Sequence, residues 1–119
     1  MNKDKANFWK IKVNDLKSNI NFTGLVGYVE ATYEELVEEL GEPSTDFDKS
    51  TAHWILEAPN GTVATIYDYK NYMTPIGTYS WHIGGHDKKA LLLVEFLLGK
   101  PVTDADEVSW NPYGGGNDQ

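Results

Sequence analysis

Histidine and aspartate are the side chains in this sequence whose type and spacing suggest catalytic or metal-binding chemistry. His82 and His86 stand four residues apart in the segment WHIGGH, and His53 and Asp68 lie in the β-rich stretch before it. Two imidazoles and a carboxylate form a ligand set that zinc accepts, and a neighbouring carboxylate can orient an imidazole ring. Two glycines interrupt the element between His82 and His86, which weakens the metal interpretation. The pattern favours a structural role and leaves, as an alternative, a small hydrolase or metal protein using His82, His86 and Asp68.

Other motifs for catalysis or cofactor binding are missing from the sequence. The chain has no cysteine, so it offers neither thiolate ligands nor disulfides. It also lacks the glycine-rich phosphate loops and the G-x-S-x-G pattern that accompany nucleotide binding and activated serine. Carboxylate pairs suited to glycoside hydrolysis occur in any acidic chain, and none is singled out here. We therefore expect no cofactor and no enzymatic activity.

The segment TYEELVEELGEP, residues 32–43, predicts a short helix that is acidic on its polar side. Thr32 and Glu35 have the spacing of a capping box, an apolar stripe recurs every three or four residues, and Gly41 and Pro43 end the helix. Its polar positions are glutamates with no lysine among them. Like charges at i,i+4 and acid at the negative end of the helix dipole both destabilise a helix. Folding stability does not explain this pattern, which is compatible with a binding surface and equally with an ordinary solvated face.

Carboxylates in and just after this helix are the candidate partner-binding residues. They are Glu34, Glu35, Glu38, Glu39, Glu42, Asp46 and Asp48. Counting Glu30, eight of the nineteen positions from 30 to 48 are acidic, and the first lysine is Lys49.

The overall charge of the chain agrees with binding to a basic partner. Eighteen acidic residues face ten basic ones, the formal net charge is −8, and every basic residue is a lysine. Arginine is the preferred side chain for guanine edges and bidentate phosphate contacts. Its absence, with the negative charge, argues against direct nucleic-acid binding. A negative field attracts basic surfaces and speeds association with them.

Length and hydropathy predict one domain that stays in the cytoplasm. No apolar run reaches the roughly 20 residues of a transmembrane helix, and the N-terminal MNKDKANFWK lacks the apolar core of a signal peptide. We therefore expect no membrane partner. The expected organisation is a flexible N-terminus at 1–7, a single domain at 8–102, and a flexible glycine-containing tail at 103–119.

The pattern of apolar residues predicts an α+β domain with a small antiparallel sheet of three to four strands and two helices. A central hairpin spans 51–69 and turns at Asn60-Gly61, the strongest short-range hairpin signal. With a two-residue loop, Trp54 would oppose Tyr67 and His53 would oppose Asp68. A further strand follows at 78–85.

The two predicted helices span about 32–40 and 87–98. The second is apolar almost all round, which is typical of a helix buried on more than one side. A central position across the sheet is favoured, and a partner-binding or homodimer surface is the alternative.

The order of ATYEELVEELGEP, GTVATIYDYK and WHIGG resembles a group of small acidic proteins encoded by bacteriophages, over roughly residues 24–98. The resemblance implies a phage-type accessory protein, which would act in the cytoplasm of the host cell. Small acidic phage proteins include anti-restriction and anti-CRISPR inhibitors, some of which imitate DNA. The expected function is therefore an anti-defence inhibitor whose acidic face binds a basic, nucleic-acid-binding surface of a bacterial defence protein. The alternative is a non-enzymatic host-takeover or assembly factor that binds through the apolar second helix.

Overall fold

Short strands and four helices make up the part of the chain that the structure describes, and these strands form a single antiparallel sheet. The computed structural model describes residues 3–15, 18, 20, 23–45, 50–71 and 73–109. The elements are α1 (Lys3–Phe8), β1 (Lys12–Val13), β2 (Gly24–Ala31), α2 (Tyr33–Leu40), β3 (His53–Glu57), β4 (Val63–Tyr67), β5 (Tyr79–Gly85), α3 (Lys89–Leu98), β6 (Thr103–Asp104) and α4 (Ala105–Ser109). The strand order is β1-β3-β4-β5-β2-β6.

The α+β class is confirmed, but the sheet is larger than expected. It has six strands instead of three to four, and four helices accompany it in the described part of the chain instead of two. The additional strands β1 and β6 are two residues long, too short to show an alternating apolar pattern. They occupy the two edges of the sheet and shorten its exposed edges.

Both ends of the described chain contain structure where the sequence suggested flexible segments. Residues 3–8 form α1, which buries Ala6 against the core. The expected tail at 103–119 begins with β6 and α4, and residues 110–119 lie outside the described ranges. These elements are five or six residues at most, so their sequences contain less than two helical turns of pattern.

The central hairpin is confirmed, but its register differs by one residue from the prediction. Trp54 faces Ile66 and His53 faces Tyr67 across the ladder. The loop has three residues rather than two, because Gly61 adopts a positive φ of 90° and its N–H donates to the carbonyl of Ala58 at 2.9 Å. A glycine in this conformation after a tight turn produces the three-residue hairpin loop. The expected pairing of His53 with Asp68 is therefore wrong.

Large side chains on one face of the sheet form the core, with α2 and α3 packed over them. Trp54 and Trp81 are fully buried, with ring centroids 5.6 Å apart and nearly perpendicular planes. Gly85 allows α3 to approach this face, since a Cβ at Gly85 would lie 2.4 Å from the Cβ of Ala90. The glycine pair of WHIGGH therefore does not interrupt the strand, because β5 continues through it to Gly85.

Candidate functional site

Helix α2 is held in place at its start by backbone and side-chain hydrogen bonds. The Thr32 hydroxyl accepts from the Glu35 amide at 3.1 Å, and the Glu35 carboxylate accepts from the Thr32 amide at 2.8 Å. This is the reciprocal capping box that the sequence predicted. Leu36 and Leu40 are buried beneath the helix. The helix therefore presents its polar side in a fixed orientation.

Glu35 differs from the other glutamates of α2 because its carboxylate is used within the protein. Besides the bond from Thr32, it forms an ion pair with Lys100 at 3.2 Å. The hydrogen bond from Thr32 lowers the pKa of Glu35, burial opposes this shift, and Lys100 lowers the pKa further. The sequence indicated no lysine for these glutamates, and Lys100, 65 positions along the chain, corrects that expectation. Glu35 is therefore a structural residue of the helix start.

Three further glutamates lie on α2 and one lies just after its end, and we call Glu34, Glu38, Glu39 and Glu42 the acidic face. Three of them, Glu34, Glu38 and Glu42, are exposed, and Glu39 is half-buried. Within the described ranges, the exposed three form no ion pair. Glu34 and Glu38 lie one helical turn apart, about 6 Å along the axis.

The negative charge of the acidic face also acts on the pKa of the neighbouring Tyr33 hydroxyl. Burial raises the pKa of the Tyr33 hydroxyl, and Glu42 and Glu34 raise it further. Two other candidates, Asp46 and Asp48, lie outside the described residues. The structure thus places four of the seven predicted residues on α2 or just after its end, and it uses Glu35, which is also exposed, in the capping box and the ion pair with Lys100.

Histidine and tyrosine side chains form a row across the other face of the sheet. We call His53, Tyr67, His82 and Tyr28 the His–Tyr row. Consecutive ring centroids in the row lie 5.4, 5.3 and 5.3 Å apart. Burial lowers the pKa of His53 to about 4, against a weaker raising effect of Asp68, and burial also lowers the pKa of His82. Both imidazoles are therefore neutral at pH 7, and the row is an aromatic packing layer.

Asp68 is a buried structural carboxylate rather than a group open to a ligand. It accepts hydrogen bonds from the amides of Thr51 and Ala52, the Thr51 hydroxyl and the Asn71 side chain, at 2.7 to 3.1 Å. Burial raises the pKa of Asp68, but these bonds together outweigh it and hold the pKa below its usual value. His86 is exposed just past the end of β5. Over the described ranges, no three His, Asp or Glu side chains are grouped as a metal ion would require.

An apolar groove is the surface that the sequence did not locate. It lies between the residues just before β1, the hairpin loop and the outer side of α3, and it is an open groove with a volume of about 550 Å³. Its most exposed apolar walls are Trp9, Leu92 and Phe96, whose exposed fractions are 51%, 65% and 43%. The sequence did indicate an exposed apolar surface on α3, because this helix is apolar almost all round. The inner residues of α3 belong to the core, in agreement with the favoured central position across the sheet. Leu92 and Phe96 face outward, so the same helix also has an exposed apolar side.

None of the helices in the described ranges has the length and apolar character needed to cross a membrane. Comparisons with models of protein families, with curated proteins and with solved structures gave no match. The function of these surfaces therefore has to be inferred from their geometry and charge.

Proposed function

We propose that this protein is a non-enzymatic anti-defence inhibitor. Its acidic face docks onto a basic, nucleic-acid-binding surface of a bacterial defence protein and occludes it, with carboxylates standing where phosphates would bind. The observation that carries the proposal is the exposure of Glu34 and Glu38 on a capped helix and of Glu42 just after it, without ion-pair partners in the described part of the chain. The phage-type resemblance of the sequence supports the same class of protein.

Fixed geometry supports the role of the carboxylates as substitutes for phosphates. A polyanion mimic must hold its charges in place before it binds, because ordering them on binding would reduce the affinity. The capping box and the buried Leu36 and Leu40 hold α2 in one orientation. The carboxylates of the acidic face therefore start from positions that the backbone defines.

The distribution of lysines supports binding through the acidic face rather than through the whole acidic surface. Lys88 pairs with Asp104 at 2.9 Å and with Asp106 at 2.6 Å, and Lys12 lies 3.8 Å from Asp15. These lysines neutralise carboxylates elsewhere on the molecule. The acidic face keeps its negative charge, although Glu34 and Glu38 repel each other at i,i+4. Function explains this arrangement better than folding stability does.

Capture from a bacterial lysate with active restriction and CRISPR systems tests the proposal. The immobilised protein should retain a nucleic-acid-binding protein at low salt and release it when double-stranded DNA or heparin is added. A Glu34→Lys, Glu38→Lys bait should retain much less of it, because rim charges control electrostatic association. Mass spectrometry identifies the retained protein, and a nuclease or DNA-binding assay then measures inhibition.

The matched control is the bait Glu95→Lys, Glu107→Lys, which changes the net charge equally at exposed positions of α3 and α4. This control should retain the partner. Equal retention by all three baits, or retention of proteins that DNA does not displace, would refute the acidic-face proposal.

A further inference from the structure

The apolar groove is fixed by contacts among its own walls. The rings of Trp9 and Phe96 lie 5.6 Å apart and nearly perpendicular. Lys5 connects α1 to α3, since its ammonium group donates to the Phe96 carbonyl at 3.0 Å and lies 5.3 Å from the centre of the Phe96 ring. The groove therefore exists before any partner binds, and occupying it requires little additional ordering.

The exposed side chains of the groove form a contiguous apolar surface. Leu92 and Phe96 stand one turn apart on α3, and the Trp9 ring contacts Phe96. The neighbouring Phe8 is 75% exposed and packs edge-on against Trp9 at 5.3 Å. Single exposed apolar residues are common on protein surfaces, but contiguous groups mark interaction sites. A volume of about 550 Å³ accommodates a few apolar side chains of a bound segment.

The charge carried by the described lining of the groove is positive, although the protein as a whole is strongly negative. Of the described residues that line it, Lys89 is charged and none is a carboxylate. Lys5 stands at the Phe96 edge, and the exposed Lys10 lies in the chain between the lining residues Trp9 and Ile11. Glu57, Asp87 and Glu95 stand one or two residues from lining residues in the chain, and none of the three lines the groove. An apolar groove with a lysine rim complements a segment that is both apolar and acidic.

Other occupants agree less well with the same observations. A second copy would offer its own exposed Leu92 and Phe96 with Glu95 beside them, but groove-to-groove docking would also bring Lys89 of each copy toward a groove lined by the same lysine. An anionic membrane would attract the lysine rim, yet the net charge of −8 opposes approach to a negative surface. An acidic segment from another protein meets both the apolar and the charge requirement.

We infer that the apolar groove binds an acidic amphipathic peptide segment of a partner protein. Apolar side chains of that segment enter between Trp9, Leu92 and Phe96, and its carboxylates meet Lys5 and Lys89. This site is separate from the acidic face and does not depend on the proposed inhibitory function. The protein would then have two docking surfaces of opposite charge preference.

Selection from a displayed library of random peptides tests this inference directly. Peptides enriched on the intact protein should combine leucine or aromatic residues with aspartate or glutamate. A synthetic copy of the most enriched peptide should bind Leu92→Glu at least about tenfold more weakly than the parent, as expected for a residue central to an interface. Lys89→Glu should also weaken binding. Fluorescence anisotropy measures the affinities, and circular dichroism confirms that each variant is folded.

The control variant is Ile76→Glu, which changes an apolar residue that is 89% exposed in the loop after β4 and should leave peptide binding unchanged. The Glu34→Lys, Glu38→Lys variant should also bind the peptide, so failure of this site and failure of the acidic face can be told apart. The inference is overturned if no peptide is enriched, if enriched peptides are basic or uncharged, or if Ile76→Glu weakens binding as much as Leu92→Glu. It is also overturned if the parent is a dimer by light scattering and Leu92→Glu makes it monomeric, since a second copy would then occupy the groove.

Discussion

Neighbouring glutamates of α2 show how a contact from a distant part of the chain determines what a side chain can do. Glu34 and Glu35 are both exposed, but Glu34 forms no ion pair within the described ranges, whereas the Glu35 carboxylate binds the Thr32 amide and Lys100. Sequence placed both in one candidate surface, since residue type and helical position are nearly the same for the two. Local pattern could predict the bond between Thr32 and Glu35, but it contains no information about a lysine 65 residues away. The structure therefore removes Glu35 from the candidate binding surface and leaves the other glutamates of α2 in it.

The role of the buried Asp68 also depends on contacts from another part of the chain, namely Thr51 and Ala52. Asp68→Asn should lower the free energy of unfolding by about 1–3 kcal/mol, the range for losing charge-assisted hydrogen bonds in a buried site. The new amide group would face the Asn71 amide, which now donates to the carboxylate at 3.1 Å. Urea denaturation measures the change. Glu107→Gln, at an exposed position, is the control and should have little effect, and equal losses in the two variants would contradict the structural role of Asp68.

The buried histidines predict how stability depends on pH. The pKa of His53 in the folded protein, about 4, lies below the value near 6.5 that an unfolded histidine has. The unfolded state therefore binds protons first, so the stability from His53 is fully present above about pH 6.5 and is lost as the pH falls toward 4. Burial also lowers the pKa of His82, so His82 contributes in the same direction. The slope should reach at most about 1.4 kcal/mol per pH unit for each histidine. Denaturant titrations at several pH values measure it.

Substitution of a histidine separates this effect from that of Asp68. Since the pKa of Asp68 is held below its usual value, its contribution is lost only at pH values below about 4. His53→Gln should therefore flatten the stability curve between pH 6.5 and 4. An unchanged slope in this variant would show that other groups produce the pH dependence.

Helix α2 could be predicted from the sequence because the signals that define it are local. Its capping box, apolar stripe and terminal glycine lie within ten residues, and the observed helix Tyr33–Leu40 with Thr32 as N-cap follows them. The hairpin shows the limit of local signals. Asn60-Gly61 correctly indicated a turn, but two- and three-residue loops use the same residue types, and the difference shifts the register by one residue.

Helix α2 also yields a prediction that connects stability with binding. Glu38→Lys places a lysine four residues after Glu34 and near the negative end of the helix dipole. It should stabilise the protein by about 0.3–1 kcal/mol, as measured by thermal melting. Retention of the captured partner should fall in the same variant. A variant that is more stable but binds equally well would indicate that this glutamate belongs to an ordinary solvated surface.

Helix α3 allows its two sides to be compared by the same substitution. Leu93 and Leu97 are 8% and 2% exposed, whereas Leu92 is 65% exposed. Leu93→Ala and Leu97→Ala should each lower the free energy of unfolding by about 2–5 kcal/mol, the usual loss for a buried leucine. Leu92→Ala should change it by less than about 0.5 kcal/mol. Chemical denaturation of the three variants checks the assignment, which fails if Leu92→Ala is as damaging as the others.

For the molecule as a whole, the class of fold was more predictable than the position of its surfaces. Apolar periodicity identified the hairpin, β5 and both longer helices, since each has several turns or alternations of pattern. The edge strands β1 and β6 have two residues each and form through contacts with distant partners. The apolar groove joins residues near 9, 59 and 92–96, so its existence depends on the tertiary arrangement.

The charge of the whole molecule gives the last prediction. With eighteen acidic and ten basic residues, repulsion among carboxylates should exceed the stabilisation from ion pairs such as Lys100–Glu35, because exposed pairs contribute at most about 1 kcal/mol each. Sodium chloride screens charges over about 10 Å at 0.1 M and over shorter distances at higher concentration. The melting temperature should therefore rise when sodium chloride is added, while binding through the acidic face weakens over the same range. Glu34→Lys with Glu38→Lys should show a smaller rise, since this variant loses two carboxylates and gains two lysines, which leaves less net negative charge to screen. A melting temperature that falls with salt would mean that ion pairs, rather than repulsion, dominate the electrostatics of the folded protein.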